Sequence, residues 1–129
     1  MSSIVDKTTI YSYQGDDAFV YFKLEQLGEG DLIYFDIRDR KTNKSVLEEE
    51  LKSRVDENHF VKFEITHEML DKIPVKLSEN ATKYYYGIKR VDEETGQEDT
   101  ILLKENENAD VKFGENYLFI LYRKKAEGE

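Results

Sequence analysis

The strongest constraint on this chain is an apolar–polar alternation with a period of two residues, repeated from one end to the other. AFVYFKL (18–24) sets Ala18, Val20, Phe22 and Leu24 on one side and Phe19, Tyr21 and Lys23 on the other. DLIYFDIRD (31–39) sends Ile33, Phe35 and Ile37 one way and Leu32, Tyr34, Asp36 and Arg38 the other. HFVKFEI (59–65) turns Val61, Phe63 and Ile65 inward against Lys62 and Glu64. Successive side chains of a strand point to opposite faces of a sheet, so each segment predicts a strand with one buried face. TIYSY (9–13), SVLEEELKS (45–53), DTILLKE (99–105) and NYLFILY (116–122) extend the series. The last is apolar on both faces, so it is either covered on both or docks a partner with its outer one.

The same rule resolves KYYYGIKR (83–90), where three tyrosines stand in a row. On a strand, Tyr84, Tyr86 and Ile88 share the inner face, each phenol needing a hydrogen-bond partner if buried. Tyr85, Gly87 and Lys89 share the outer face. Gly87 leaves a gap there for a neighbouring side chain. The turns agree with this pattern. DRKTNK (39–44) and DEETGQ (92–97) share the form Asp-x-x-Thr-(Asn/Gly). In such a turn the Asp carboxylate accepts backbone N–H groups, and Asn or Gly closes the turn at positive φ. Both predict short hairpin connections.

One stretch, THEMLDKIP (66–74), predicts a helix, with Thr66 as cap, Met69, Leu70 and Ile73 on one face, and Pro74 as stop. Seven or eight strands and one short connecting helix (66–73) predict an all-β, antiparallel β-sandwich, with a closed barrel as the alternative. At 129 residues, one domain is expected, spanning 1–122, with 123–129 as a flexible C-terminal tail.

Composition narrows the function. The net charge is −9, which disfavours nucleic acid and anionic membrane as partners and favours a basic protein surface. Absence of cysteine excludes disulfides, thiol catalysis and Cys-based zinc sites. MSSIVDKTT lacks the basic and apolar regions of a signal peptide, and no stretch has the length of a membrane helix. No cofactor is expected.

No catalytic constellation stands out. His59 and His67 are the only histidines, and the best local pair is His67 with Asp71. Both histidines are expected at the surface. On a strand, Glu48, Glu49 and Glu50 point alternately and cannot converge on one ion. DEETGQED lacks calcium-loop spacing. Asn80-Ala81-Thr82 is a sequon expected to be an ordinary loop. What remains is a candidate binding surface of outward tyrosines, Tyr21, Tyr34 and Tyr85, with Tyr11 or Tyr13 as further members. If aligned across neighbouring strands they form an aromatic patch for sugars or a protein partner; the competing reading is ordinary cross-strand pairing.

Four phrases in order, QGDDAFVYFKL (14–24), GDLIYFDIRDRKTNKSVLEEEL (30–51), FVKFEITHEMLDKIP (60–74) and KYYYGIKRVDEETGQEDTILL (83–103), resemble small tail or baseplate proteins of phages and prophages of Gram-positive bacteria. The resemblance is greatest to the immunoglobulin-like N-terminal domain of baseplate upper proteins. It implies an immunoglobulin-like sandwich without catalytic residues. The implied role is structural or attachment, with other tail or baseplate proteins as partners, and with self-association or a cell-surface glycan as further possibilities. The implied location is the virion, or the bacterial cytoplasm before assembly. A small carbohydrate-binding module using the outward tyrosines is the alternative.

Overall fold

The structure, a computed structural model, describes residues 3–6, 9–76, 80–101 and 117–123. Its elements are β1 (Ser3–Asp6), β2 (Thr9–Tyr13), β3 (Ala18–Lys23), β4 (Leu32–Arg38), β5 (Leu51–Arg54), β6 (Phe60–Ile65), α1 (His67–Asp71), β7 (Ala81–Val91), β8 (Glu98–Ile101) and β9 (Leu118–Tyr122). Seven strands form one sheet in the order β1-β2-β9-β7-β4-β5, with β8 also on β7; β3 and β6 form the second sheet. The all-β sandwich with one short helix is therefore present. β7 lies between β4 on one edge and β8 and β9 on the other, and β3 pairs with β6 in the second sheet.

The inner faces are those that the alternation predicts. Ala18, Val20, Phe22, Ile33, Phe35, Ile37, Val61, Phe63 and Ile65 are all buried. At the centre the rings of Phe22, Phe35, Phe63, Tyr86 and Tyr117 form one cluster, with centroids from 5.3 to 6.2 Å apart between touching rings. Such offset and edge contacts add to the area burial that dominates core stability. Tyr84 is also buried, and its hydroxyl donates to the Pro74 carbonyl across the connection between α1 and β7. In the manner of a tyrosine corner, the bond ties the start of β7 to the loop preceding it.

The two Asp-x-x-Thr turns are built alike. Asp39 Oδ1 accepts from the backbone N–H groups of Lys41 and Thr42, at 2.8 and 3.0 Å. Asp92 Oδ1 does the same for Glu94 and Thr95, at 2.9 and 3.3 Å. Asn43 closes the first at φ 58° and Gly96 the second at φ 77°. The backbone N–H groups of Lys41 and Thr42 hold the Asp39 carboxyl below its usual range.

Several expectations are corrected. The strands number nine among the described residues, because Ser3–Asp6 adds one that the alternation does not signal. The sheet is not wholly antiparallel: β2 runs parallel to β9, with Ile10 opposite Phe119 and Tyr13 opposite Tyr122. The helix spans His67–Asp71, capped by Thr66, rather than 66–73. Only Leu51–Arg54 of the expected strand 45–53 is a strand. Upstream of it Ser45 Oγ donates to Asp36 Oδ1 and accepts from Leu47 N–H, which bends the chain away from the ladder. Of the expected strand 99–105, residues 102–105 lie outside the described residues, as do 124–129 of the expected tail. Arg123 is anchored, its backbone N–H donating to Asn80 O at 2.8 Å.

One feature of β7 matters for the site. Its first half pairs with β9, from Ala81 opposite Tyr122 to Tyr85 opposite Leu118. Its second half pairs with β8 on the same edge, from Ile88 opposite Ile101 to Val91 opposite Glu98. Tyr86 N–H donates to Tyr117 O. Only Gly87 lies between the β7 residue opposite Ile101 and the one bonded to Tyr117.

Candidate functional site

The outer face of the large sheet carries two adjoining surfaces. The first lies on β2 and β9. Outward residues there are Thr9, Tyr11 and Tyr13, and Leu118, Ile120 and Tyr122. None is charged, in a chain where 36% of residues are. Tyr122 stacks between Tyr13, at 4.8 Å, and Tyr11, at 6.5 Å. Tyr13 is the most exposed of the group, at 42%.

The second is a depression of about 510 Å³ on β4 and β7. Register places Asp36 opposite Gly87, Arg38 opposite Tyr85, and Tyr34 opposite Lys89, all on the outer side. Gly87 is not among the residues with positive φ, so its backbone is one that any residue adopts. It lies among the lining residues, between Tyr34 and Tyr85 at opposite ends. The charges around it are tied together. Asp36 Oδ2 accepts from Arg38 Nε at 3.1 Å, and Asp36 Oδ1 from Ser45 Oγ at 2.6 Å and from Ile37 N–H at 3.0 Å. Lys89 Nζ lies 3.2 Å from Glu50 and 2.5 Å from Glu98. Partial burial works to lower the Lys89 pKa, but the Glu98 and Glu50 carboxylates outweigh it and hold the ammonium above its usual value.

The candidate tyrosines do not form one patch. Tyr34 and Tyr85 share the depression, whereas Tyr21 lies on β3, on the outer face of the other sheet. Tyr21 is 55% exposed, and Phe19 and Phe60 are exposed on the same face. Nor are the Tyr34 and Tyr85 rings bare. Lys52 Nζ and Lys89 Nζ lie 5.1 and 5.7 Å from the Tyr34 centroid, and the Arg40 guanidinium lies 5.5 Å from that of Tyr85. Cation–π contacts occupy ring faces that a sugar-stacking platform would leave open. The sequence signal for Arg40 in this role was its place in the turn that follows outward Arg38.

Among the described residues no group of three or more His, Cys, Asp or Glu side chains could hold a metal ion. His67 pairs with Asp17 rather than Asp71, its Nδ1 lying 2.8 Å from Asp17 Oδ1. Asp71 instead accepts from Gly15 N–H at 2.8 Å. Glu48 and Glu50 diverge, toward Lys72 and Lys89. No helix among the described residues is long and apolar enough to cross a membrane.

Comparison with known protein families, characterised proteins and solved structures finds no match to this chain.

Proposed function

We propose that this chain is a non-enzymatic structural or attachment component of a phage or prophage tail or baseplate, acting by protein–protein docking. The observation that carries the docking reading is the uncharged outer surface of β2 and β9, built on the Tyr11–Tyr122–Tyr13 stack. Interface centres are depleted in charge and enriched in aromatic residues. The net charge of −9 favours a basic partner. The tail or baseplate assignment draws on the order of the four phrases in residues 14–103. The alternative, a sugar platform of outward tyrosines, has less support because Tyr21 lies on the other sheet and the Tyr34 and Tyr85 rings carry their own cations.

Mass spectrometry of purified particles from an induced source strain tests the assignment. The chain is expected at a fixed stoichiometry on intact particles; its absence there, with abundant chain in the lysate, overturns the reading. The surface is tested by Ile120→Glu. If Ile120 lies at an interface centre, incorporation falls at least about tenfold. Tyr21→Glu on the opposite sheet leaves it unchanged. Folding of both variants is checked by circular dichroism.

A further inference from the structure

The depression over Gly87 adjoins the proposed docking surface but is chemically unlike it. Its polar lining groups are donors for the most part: Arg38, Arg40, Lys89, Asn43, Thr100, Tyr34 and Tyr85. The carboxylates present are engaged. Asp36 is held by Arg38, Ser45 and the Ile37 N–H, and Glu50 by Lys89. Arg40 is the exception among the lining cations: no carboxylate of the described residues lies within ion-pair distance of it, while its guanidinium rests over the Tyr85 ring. A positively charged donor group is thus held over an uncharged floor, in a chain of net charge −9.

This arrangement assigns roles to the residues. The Tyr34 and Tyr85 rings position cations through their faces. The planar guanidinium of Arg40 offers paired N–H donors matched to a carboxylate or phosphate. Asn43 and Thr100 supply neutral polar groups that suit hydroxyls. The volume falls in the range of small-molecule sites, about 300–1,000 Å³.

We infer that the depression over Gly87 binds a small hydroxylated anion, a sugar acid or sugar phosphate, through Arg40. The acid group meets the guanidinium and the hydroxyls meet Asn43, Thr100 and the tyrosine phenols. The ligand's ring lies over Gly87, where any side chain would intrude.

The test is titration of the ¹⁵N-labelled full chain, followed by amide shifts, with glucuronate, glucose 1-phosphate, inorganic phosphate and glucose. Glucuronate or glucose 1-phosphate is expected to shift amides clustered at Tyr34, Arg40, Tyr85, Gly87 and Lys89. The tighter of the two identifies the acid group. Arg40→Ala, on an exposed turn, is expected to weaken binding about tenfold, the size of a lost charge-assisted hydrogen bond. Gly87→Val fills the floor and is expected to abolish binding while keeping a folded spectrum. The inference is overturned by no response to either sugar acid at about 10 mM, millimolar binding being the weakest affinity of interest. It is also overturned by glucose binding equally well, by inorganic phosphate binding as tightly as glucose 1-phosphate, or by unchanged affinity in Arg40→Ala. Should Gly87→Val fail to fold, the Arg40→Ala and glucose comparisons decide alone.

Discussion

Tyr84→Phe isolates one hydrogen bond in an otherwise unchanged core. The phenol is buried on β7 and its hydroxyl donates to Pro74 O, linking the sheet to the segment that follows α1. Removing the hydroxyl keeps the ring and its packing but leaves the Pro74 carbonyl without this donor. Pro74 is exposed, so water can take the donor's place and the loss is that of an ordinary hydrogen bond, about 0.5–1.5 kcal/mol. For a chain of this size each kcal/mol moves Tm by roughly 3–5 °C, so the expected fall is about 2–8 °C. Tyr13→Phe, at an exposed position, is the control and should change stability by less than about 0.5 kcal/mol. Urea unfolding by circular dichroism, with equal slopes for the variants, gives the difference directly. The alkaline limb supplies a second readout. Burial pushes the Tyr84 phenol above its ordinary value, and the Asp39 carboxylate adds to the shift. Above about pH 10 the unfolded chain therefore releases a proton that the native chain keeps, and unfolding gains with rising pH. This part of the stability is complete below about pH 10, and Tyr84→Phe should flatten the decline above it. A Tyr84→Phe midpoint equal to that of Tyr13→Phe would refute the corner.

The remaining predictions concern the turns, one ion pair and one buried hydroxyl. The His67 pKa is raised by its hydrogen bond to Asp17, and that of Asp17 is lowered by the His67 backbone and side chain. The pair's stabilisation is accordingly greatest between the two ordinary values, about 4 and 6.5. It is lost as pH rises through the His67 value or falls through that of Asp17. Proton NMR should place the His67 midpoint above 6.5, and Asp17→Asn should bring it back down. Gly96→Ala forces a side chain into φ 77° and should cost about 1 kcal/mol in thermal unfolding; Asn43→Gly, at φ 58°, should be neutral to slightly stabilising. Ser12 is fully buried and its Oγ has no hydrogen-bond partner among the described residues. Ser12→Ala should therefore raise stability by up to about 1 kcal/mol, and a loss in urea unfolding would mean that the hydroxyl is satisfied.

Legibility in the sequence followed the range of each interaction. Strand β2 and the inner faces of β3, β4, β6 and β7 follow from local alternation, as do the paired Asp39 and Asp92 turns, because side-chain periodicity and carboxylate-to-backbone bonds act within a few residues. The burial of both Tyr84 and Tyr86 was legible for the same reason. The bend at 45–50 was not, since Ser45 is drawn out of line by Asp36 on another strand. Alternation showed that Tyr21, Tyr34 and Tyr85 face outward, but it carries no information on which sheet a strand joins. The parallel β2–β9 pair was invisible for that reason too. The role of Arg40 depended on a turn folding back over Tyr85. The tyrosine corner had a signal that was passed over: a buried-face tyrosine early in a strand, shortly after a proline-ended helix.

The pairing of β2 with β9 has a kinetic consequence. Ile10 waits for Phe119 and Tyr13 for Tyr122, so this part of the sheet cannot close during synthesis until residues 119–122 have left the ribosome. Loop closure over such a separation places folding in the slower, nonlocal regime of β proteins. Until then β2 has a hydrogen-bonding edge to offer and the β2–β9 surface is incomplete. Docking competence through that surface is thus coupled to translation of β9, and a chain released before Tyr122 would not present the proposed interface.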